Sequence, residues 1–244
     1  MEFTIGDPDY QTHFWQQQDR NDNCAVAAQT DILNQYLDHP VSLDETNYVA
    51  MTNGWYHPGY GTNPDDMGNL LQAYGVPCHT VEGASIEQLA GELQNGHRVI
   101  VGVDSGDLWN KGSLHEFWHW TIKEFGLDNS TFNPADHAVV VTGIDLSNIH
   151  NPQVILNDSG DPNGAEHMYP LDQFMDAWKG SDFHYVATSI PPGGSAGVDF
   201  DIGKYIGVGN TIGVEIDPIN SGIAGQFVDS VINNVDWDKV LANI

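Results

Sequence analysis

Apolar positions recur at helical spacing along residues 24–38, where Val26, Ile32, Leu33, Tyr36 and Leu37 share a face. Asp22 or Asn23 stands where an N-cap belongs, so the pattern predicts a helix that begins at Cys24. Ser42-Leu43-Asp44-Glu45 is a capping box opening a second helix. Asn63 before Pro64 places an N-cap ahead of a proline at the first helical position, and Gly75 closes that helix. Ser85-Ile86-Glu87-Gln88 is another capping box, with Gly96 as its stop. The N-terminal part of the chain therefore reads as a series of short helices.

The pattern then changes to short β-branched runs. Residues 98–104 and 137–145 predict strands, the second buried and central, and 153–158 predicts its hairpin partner. Cys78 opens what reads as a short buried strand. Residues 170–178 predict a helix and 183–189 a return to strand. Helices first and antiparallel strands afterwards argue for an α+β fold. Pro191-Pro192-Gly193-Gly194-Ser195 reads as a linker, separating a domain over 1–190 from a Gly-rich and amphipathic C-terminal extension over 191–244. Ala224, Phe227, Val228, Val231, Ile232 and Val235 make one apolar stripe in that extension. The stripe either packs back on the domain or meets a partner, self-association included.

Composition narrows the function. The 244 residues carry 34 acidic and 7 basic side chains, a formal charge of −27. Such a chain repels nucleic acid and anionic membranes and is expected to bind neither. No apolar run approaches a membrane span, and no signal peptide is visible. The chain is expected to be soluble, and its compartment is left open. Two cysteines make no disulfide framework; Cys78 reads as small core filler.

Cys24 is different. At the first turn of a helix the macrodipole favours thiolate over thiol. His137 opens the central strand and can supply an imidazole from a rigid element. Asp158, ending the neighbouring strand, can accept from the other ring nitrogen and fix the tautomer. Gln18, six positions before the cysteine, can donate an amide N–H to a developing oxyanion, with the Cys24 backbone N–H as a second donor. Together these residues describe a nucleophile, a base, an orienting group and an oxyanion donor.

Gln18 six residues before Cys24, His137-Ala138-Val139-Val140-Val141-Thr142-Gly143, and Asn157-Asp158 after a short strand resemble the papain-fold peptidases related to bacteriocin-processing, double-glycine leader peptidases. The segment 170–178 is similar to the helix that follows in many relatives. The resemblance spans roughly residues 10–190. It implies a papain-like fold, with a helical lobe bearing the nucleophile and a C-terminal antiparallel sheet. It also implies a cysteine peptidase with a thioester acyl-enzyme and a peptide or protein substrate, in which Cys24, His137, Asp158 and Gln18 take the four roles. No cofactor or metal is implied. Two departures stand out: Ala25 replaces the glycine common after the cysteine, and the insertion 146–152 is longer than in the leader peptidases.

A competing motif is His115-Glu116-Phe117-Trp118-His119, which has zincin spacing and points to a zinc-dependent hydrolase. The extended metzincin pattern is absent, with Ile122 and Phe125 at its positions. Outside enzymes, a non-catalytic binding module on the same fold is the alternative. An acyl-enzyme does not dictate its acceptor, so transferase or deamidase chemistry stays open. Asp158, Asp161, Asn163 and Glu166 lack EF-hand spacing and read as a polar turn.

Overall fold

The Cys24 helix forms as α2 (Cys24–Tyr36), ending two residues before the periodicity does because Leu37 turns to extended backbone. In the computed structural model the described residues are 4–109, 135–193 and 241–242. Asn23 takes the N-cap position, but neither it nor Asp22 caps α2 through its side chain. Asn23 is fully buried and bonds to Asp19 and Asn47, and Asp22 bonds to Tyr56 and Gly59. Rather than burying one stripe, α2 buries almost its whole circumference from Ala25 to Leu33. Its interior polar groups are paired accordingly. Thr30 Oγ1 meets Thr46 Oγ1 at 2.7 Å, and Gln29 Oε1 accepts from the backbone N–H groups of Gly68 and Leu70.

Around α2 pack α3 (Leu43–Thr52) and α4 (Asn69–Ala73). Ser42 caps α3 by accepting from the Glu45 N–H. The single helix expected after Asn63 is instead a 3-10 turn, Pro64–Asp66, followed by α4. Gly68 separates them at φ +106°, and a Cβ there would press on Val186 and Cys78. α5 (Ile86–Gln94) begins with the complete Ser85/Gln88 capping box. Before α2 lie β1 (Thr4–Gly6), the short α1 (Pro8–Gln11) and a 3-10 turn, Thr12–Phe14.

The sheet is antiparallel, with β2 (Cys78–Val81), β7 (Tyr185–Thr188), β3 (Val99–Val103), β4 (His137–Asp145), β5 (Gln153–Asn157) and β6 (His167–Pro170) in that order. β1 extends the β3 edge, pairing Ile5 with Ile144 where β3 has stopped. Two more helices, α6 (Ser105–Trp109) and α7 (Leu171–Lys179), complete the described elements. Strand alternation divides the core. Val99, Val101, Val103, Val139 and Val141 pack with Leu89 and Leu93 of α5 and Phe174 and Trp178 of α7. Ile100, Val140 and Val186 face α2, α3 and α4. Cys78 is half-buried on an edge strand rather than deep in the core. Among the described residues, no helix is long and apolar enough to cross a membrane.

Candidate active site

His137 is the first residue of β4, and its pairing with Val103 sets its height in the sheet. Asp158 follows β5 directly. A bulge between Val141 and Gly143 shifts the β4–β5 register and helps align the two strand ends. His137 Nε2 and Asp158 Oδ1 lie 2.7 Å apart, with only 7 % of the histidine and none of the aspartate exposed.

The Asp158 carboxylate has further donors. Trp109 Nε1 donates to Oδ2 at 2.8 Å, and the Gly160 N–H donates to Oδ1 at 2.9 Å. Burial pushes the carboxyl pKa up, but the charged His137 beside it and the bonds from Trp109 and Gly160 bring it below the ordinary value. Burial likewise pulls the imidazole down. The Asp158 bond, together with the Cys24 sulfur, outweighs it and raises the His137 pKa to about 10. The imidazole is therefore held as a cation between two groups that are anionic when ionised.

Cys24 is half-buried at the first position of α2. No side chain caps that end, so the first-turn N–H groups beside the sulfur remain available to an anion. At Cys78, burial pushes the thiol pKa up.

Gln18 lies on the segment that passes the Asp158 turn. Its backbone N–H donates to Ser159 O at 2.9 Å, and its Oε1 is 3.1 Å from Ser159 Oγ. Its Nε2 donates to Arg20 O at 2.7 Å. An amide nitrogen carries two hydrogens, so one remains for another acceptor. The same segment is anchored by Trp15 Nε1, which donates to Asp158 O at 2.9 Å, and by Gln16 Nε2, which donates to Asp31 Oδ1 at 3.1 Å. One polar network thus joins the turn after β5 to the approach to α2.

Three residues of this site carry no sequence signal for it. Trp109 stands 49 positions from its carboxylate partner, and its ring centroid is 5.0 Å from that of His137. It covers one side of the His137–Asp158 pair. Gly160 lets the turn approach closely, since a Cβ there would sit 3.0 Å from His137 Cε1 and from Trp109 Cζ2. Gly164 accepts the Asp158 N–H through its carbonyl at 2.8 Å, and a Cβ on it would lie 2.0 Å from Asp158 O. Residues 159–164 read from the sequence as turn formers only, and nothing in their order predicts how tightly they grip the site.

His115, Glu116 and His119 lie outside the described residues, as does the apolar stripe of the C-terminal extension. Among the described residues, no group of three or more His, Cys, Asp or Glu side chains could hold a metal. Asp161 instead accepts from the Asn163 N–H and pairs with His167, as a polar turn does.

The fold is similar to the crystal structure of a C39-like peptidase from Bacillus anthracis, with a TM-score of 0.50 and 15% identity over 73% of this chain and 94% of that one. It also resembles the peptidase domain of Streptococcus ComA, a bi-functional ABC transporter involved in a quorum-sensing pathway, with a TM-score of 0.46 and 16% identity over 71% of this chain and 96% of that one. Uncharacterised proteins of Mycobacterium bovis and Mycobacterium tuberculosis are 32% identical over 210 residues, covering 75% of this chain and 84% of theirs. The α+β, papain-like architecture expected from the sequence is the one found. The model of the Peptidase_C39-like family matches residues 10–186, and the chain belongs to that family.

Proposed function

We propose that this protein is a cysteine peptidase in which Cys24 is the nucleophile, His137 the base, Asp158 the orienting carboxylate and Gln18 an oxyanion donor. The observation that carries the reading is the buried 2.7 Å bond between His137 and Asp158, with the Cys24 sulfur as the other group that keeps the imidazole charged. An imidazolium beside a thiol at an uncapped helix N-terminus stores a thiolate–imidazolium pair. The thiolate attacks the carbonyl carbon of a peptide bond. The carbonyl oxygen becomes an oxyanion facing the Cys24 N–H and the second amide hydrogen of Gln18. His137 returns its proton to the leaving amine, and the C–N bond breaks to leave a thioester. A water then gives its proton to the imidazole and adds to the thioester carbon, releasing the acid and restoring the pair.

Asp158 stays ionised throughout. It holds Nε2 as the bonded nitrogen and leaves Nδ1 for the sulfur and the substrate. The bonds of Gln18 to Ser159 and Arg20 support its role, because they fix the plane of the amide before substrate arrives.

The test is incubation of the wild type and Cys24→Ala with a mixed peptide library, followed by mass spectrometry of the newly formed termini. The account expects cleavage by the wild type and a loss of at least about 10³-fold in the variant. Equal cleavage by both proteins, or none by a correctly folded wild type across the library, contradicts it; the second result favours the binding-module alternative.

A further inference from the structure

Arg98 is out of place. In a chain with a formal charge of −27, it is buried as a residue, with 4 % exposed, and its Nε is fully buried. Among the described residues it forms no ion pair and no side-chain hydrogen bond, and its Nε has no partner. Its Cζ lies 5.7 Å from the centre of the Tyr10 ring. The backbone around it is firmly held: the Arg98 N–H donates to Thr188 Oγ1, and the Thr188 N–H donates to Arg98 O. A buried cation without a counter-ion is costly unless something else satisfies it.

The side chain lines a cavity of about 460 Å³ between β1, the end of α5 and the segment after β7. Another unpaired polar atom belongs to the same wall, because Gln94 Oε1 is buried with no donor. Asp7 adds an exposed carboxylate to the lining. It is close enough for its charge to act on Arg98, yet the two form no ion pair. Ile5, Leu93 and Pro191 supply apolar wall. Arg98 precedes β3, five residues before the partner of His137, which at about 3.3 Å per residue puts the cavity roughly 17 Å from the imidazole.

We propose that this cavity binds a small zwitterion, an α-amino acid with an apolar side chain. The unused groups match both of its ends. Arg98 presents free N–H donors in a planar fork suited to a carboxylate. Gln94 Oε1 and the Asp7 carboxylate are acceptors for an ammonium, and the apolar wall takes the side chain. The charge of the whole molecule selects in the same direction: a net anion enters against it, whereas a zwitterion carries no net charge. The volume is within the range of small-molecule sites.

The test is a calorimetric and 1H–15N NMR titration of the full chain with L-leucine. Two half-ligands serve as controls, 4-methylpentanoate without the ammonium and 3-methylbutylamine without the carboxylate, and inorganic phosphate is a third. The expected result is saturable one-to-one binding of leucine, with shifts at residues 4–7 and 93–98. Each half-ligand and phosphate bind at least about tenfold more weakly, and Gln94→Leu and Asp7→Asn each weaken leucine by roughly the same factor. Arg98→Met abolishes binding; should that variant fail to fold, the other two substitutions on the half-exposed rim decide the matter. Cys24→Ala binds leucine as the wild type does. The proposal is overturned by an absence of saturable leucine binding, by phosphate, 4-methylpentanoate or 3-methylbutylamine binding as tightly as leucine, by affinity unchanged in Gln94→Leu and Asp7→Asn, or by loss of binding in Cys24→Ala, which would place the ligand at the other site.

Discussion

His137 keeps its proton well above neutral pH because Asp158 and the Cys24 sulfur outweigh the cost of burying the imidazole. Its pKa is raised above the unfolded value. The stability it contributes is therefore complete below about pH 6.5 and is lost as the pH climbs toward about 10. In the proposed mechanism the same shift sets the alkaline limit of catalysis. Asp158→Asn keeps the shape but removes the charge, so the imidazole pKa falls. The alkaline limb of the kcat/KM profile should then move toward neutrality, with kcat down about 10²-fold or more. An unmoved limb would mean that Asp158 does not act on the base. Trp109→Phe retains a ring over His137 and removes one donor to Asp158. It should lower kcat/KM several-fold and cost roughly 1–3 kcal/mol of stability, because the buried Asp158 Oδ2 loses its donor; kinetics and thermal unfolding measure the two effects separately. Asp31 is a contrasting carboxylic acid. Burial pushes its pKa well up, only partly offset by the bond from Gln16. A carboxyl with a raised folded pKa costs stability as pH rises above the unfolded value. Asp31→Asn should therefore be neutral or stabilising at pH 7, and denaturant midpoints should show that advantage vanish below about pH 4.

At the level of elements, the site depends on how the turn after β5 grips the approach to α2. Gly164 is the tightest point, because any side chain there meets the carbonyl of Asp158. Gly164→Ala should cost roughly 1–3 kcal/mol in urea unfolding and lower activity further by shifting the turn. A fully active and equally stable Gly164→Ala would refute this assignment. The helices and strands themselves were legible where local chemistry decided them: the Ser85/Gln88 box starts α5 as written, and the run from His137 to Asp145 is β4 to the residue. Elements without such marks escaped. β1 is three residues long and exists only because β4 offers an open edge beyond β3. β6 is equally a product of its neighbour, and the break between Pro64 and Asn69 follows from Gly68 packing under Val186 and Cys78. Those are tertiary facts that a one-dimensional pattern does not contain.

For the whole molecule, the candidate site was legible to the extent that its members sit at element starts and ends. Cys24 heads a helix, His137 opens a strand and Asp158 follows one, so knowing the elements nearly places the residues. Trp109 and Gly160 were not legible, since only folding brings them to His137. The acidic composition and the buried Arg98, which has no ion pair among the described residues, belong together at this scale, one repelling anions in general and the other offering a local cationic contact. The most direct measurement of the central claim is the rate of alkylation of Cys24 by iodoacetamide across pH, by peptide mapping, in wild type and His137→Ala. The account predicts rapid wild-type labelling at Cys24 near neutral pH, slow labelling at Cys78, and markedly slower labelling of Cys24 when the imidazole is removed. Cys24 labelling no faster than that of Cys78, or unchanged by His137→Ala, would contradict it.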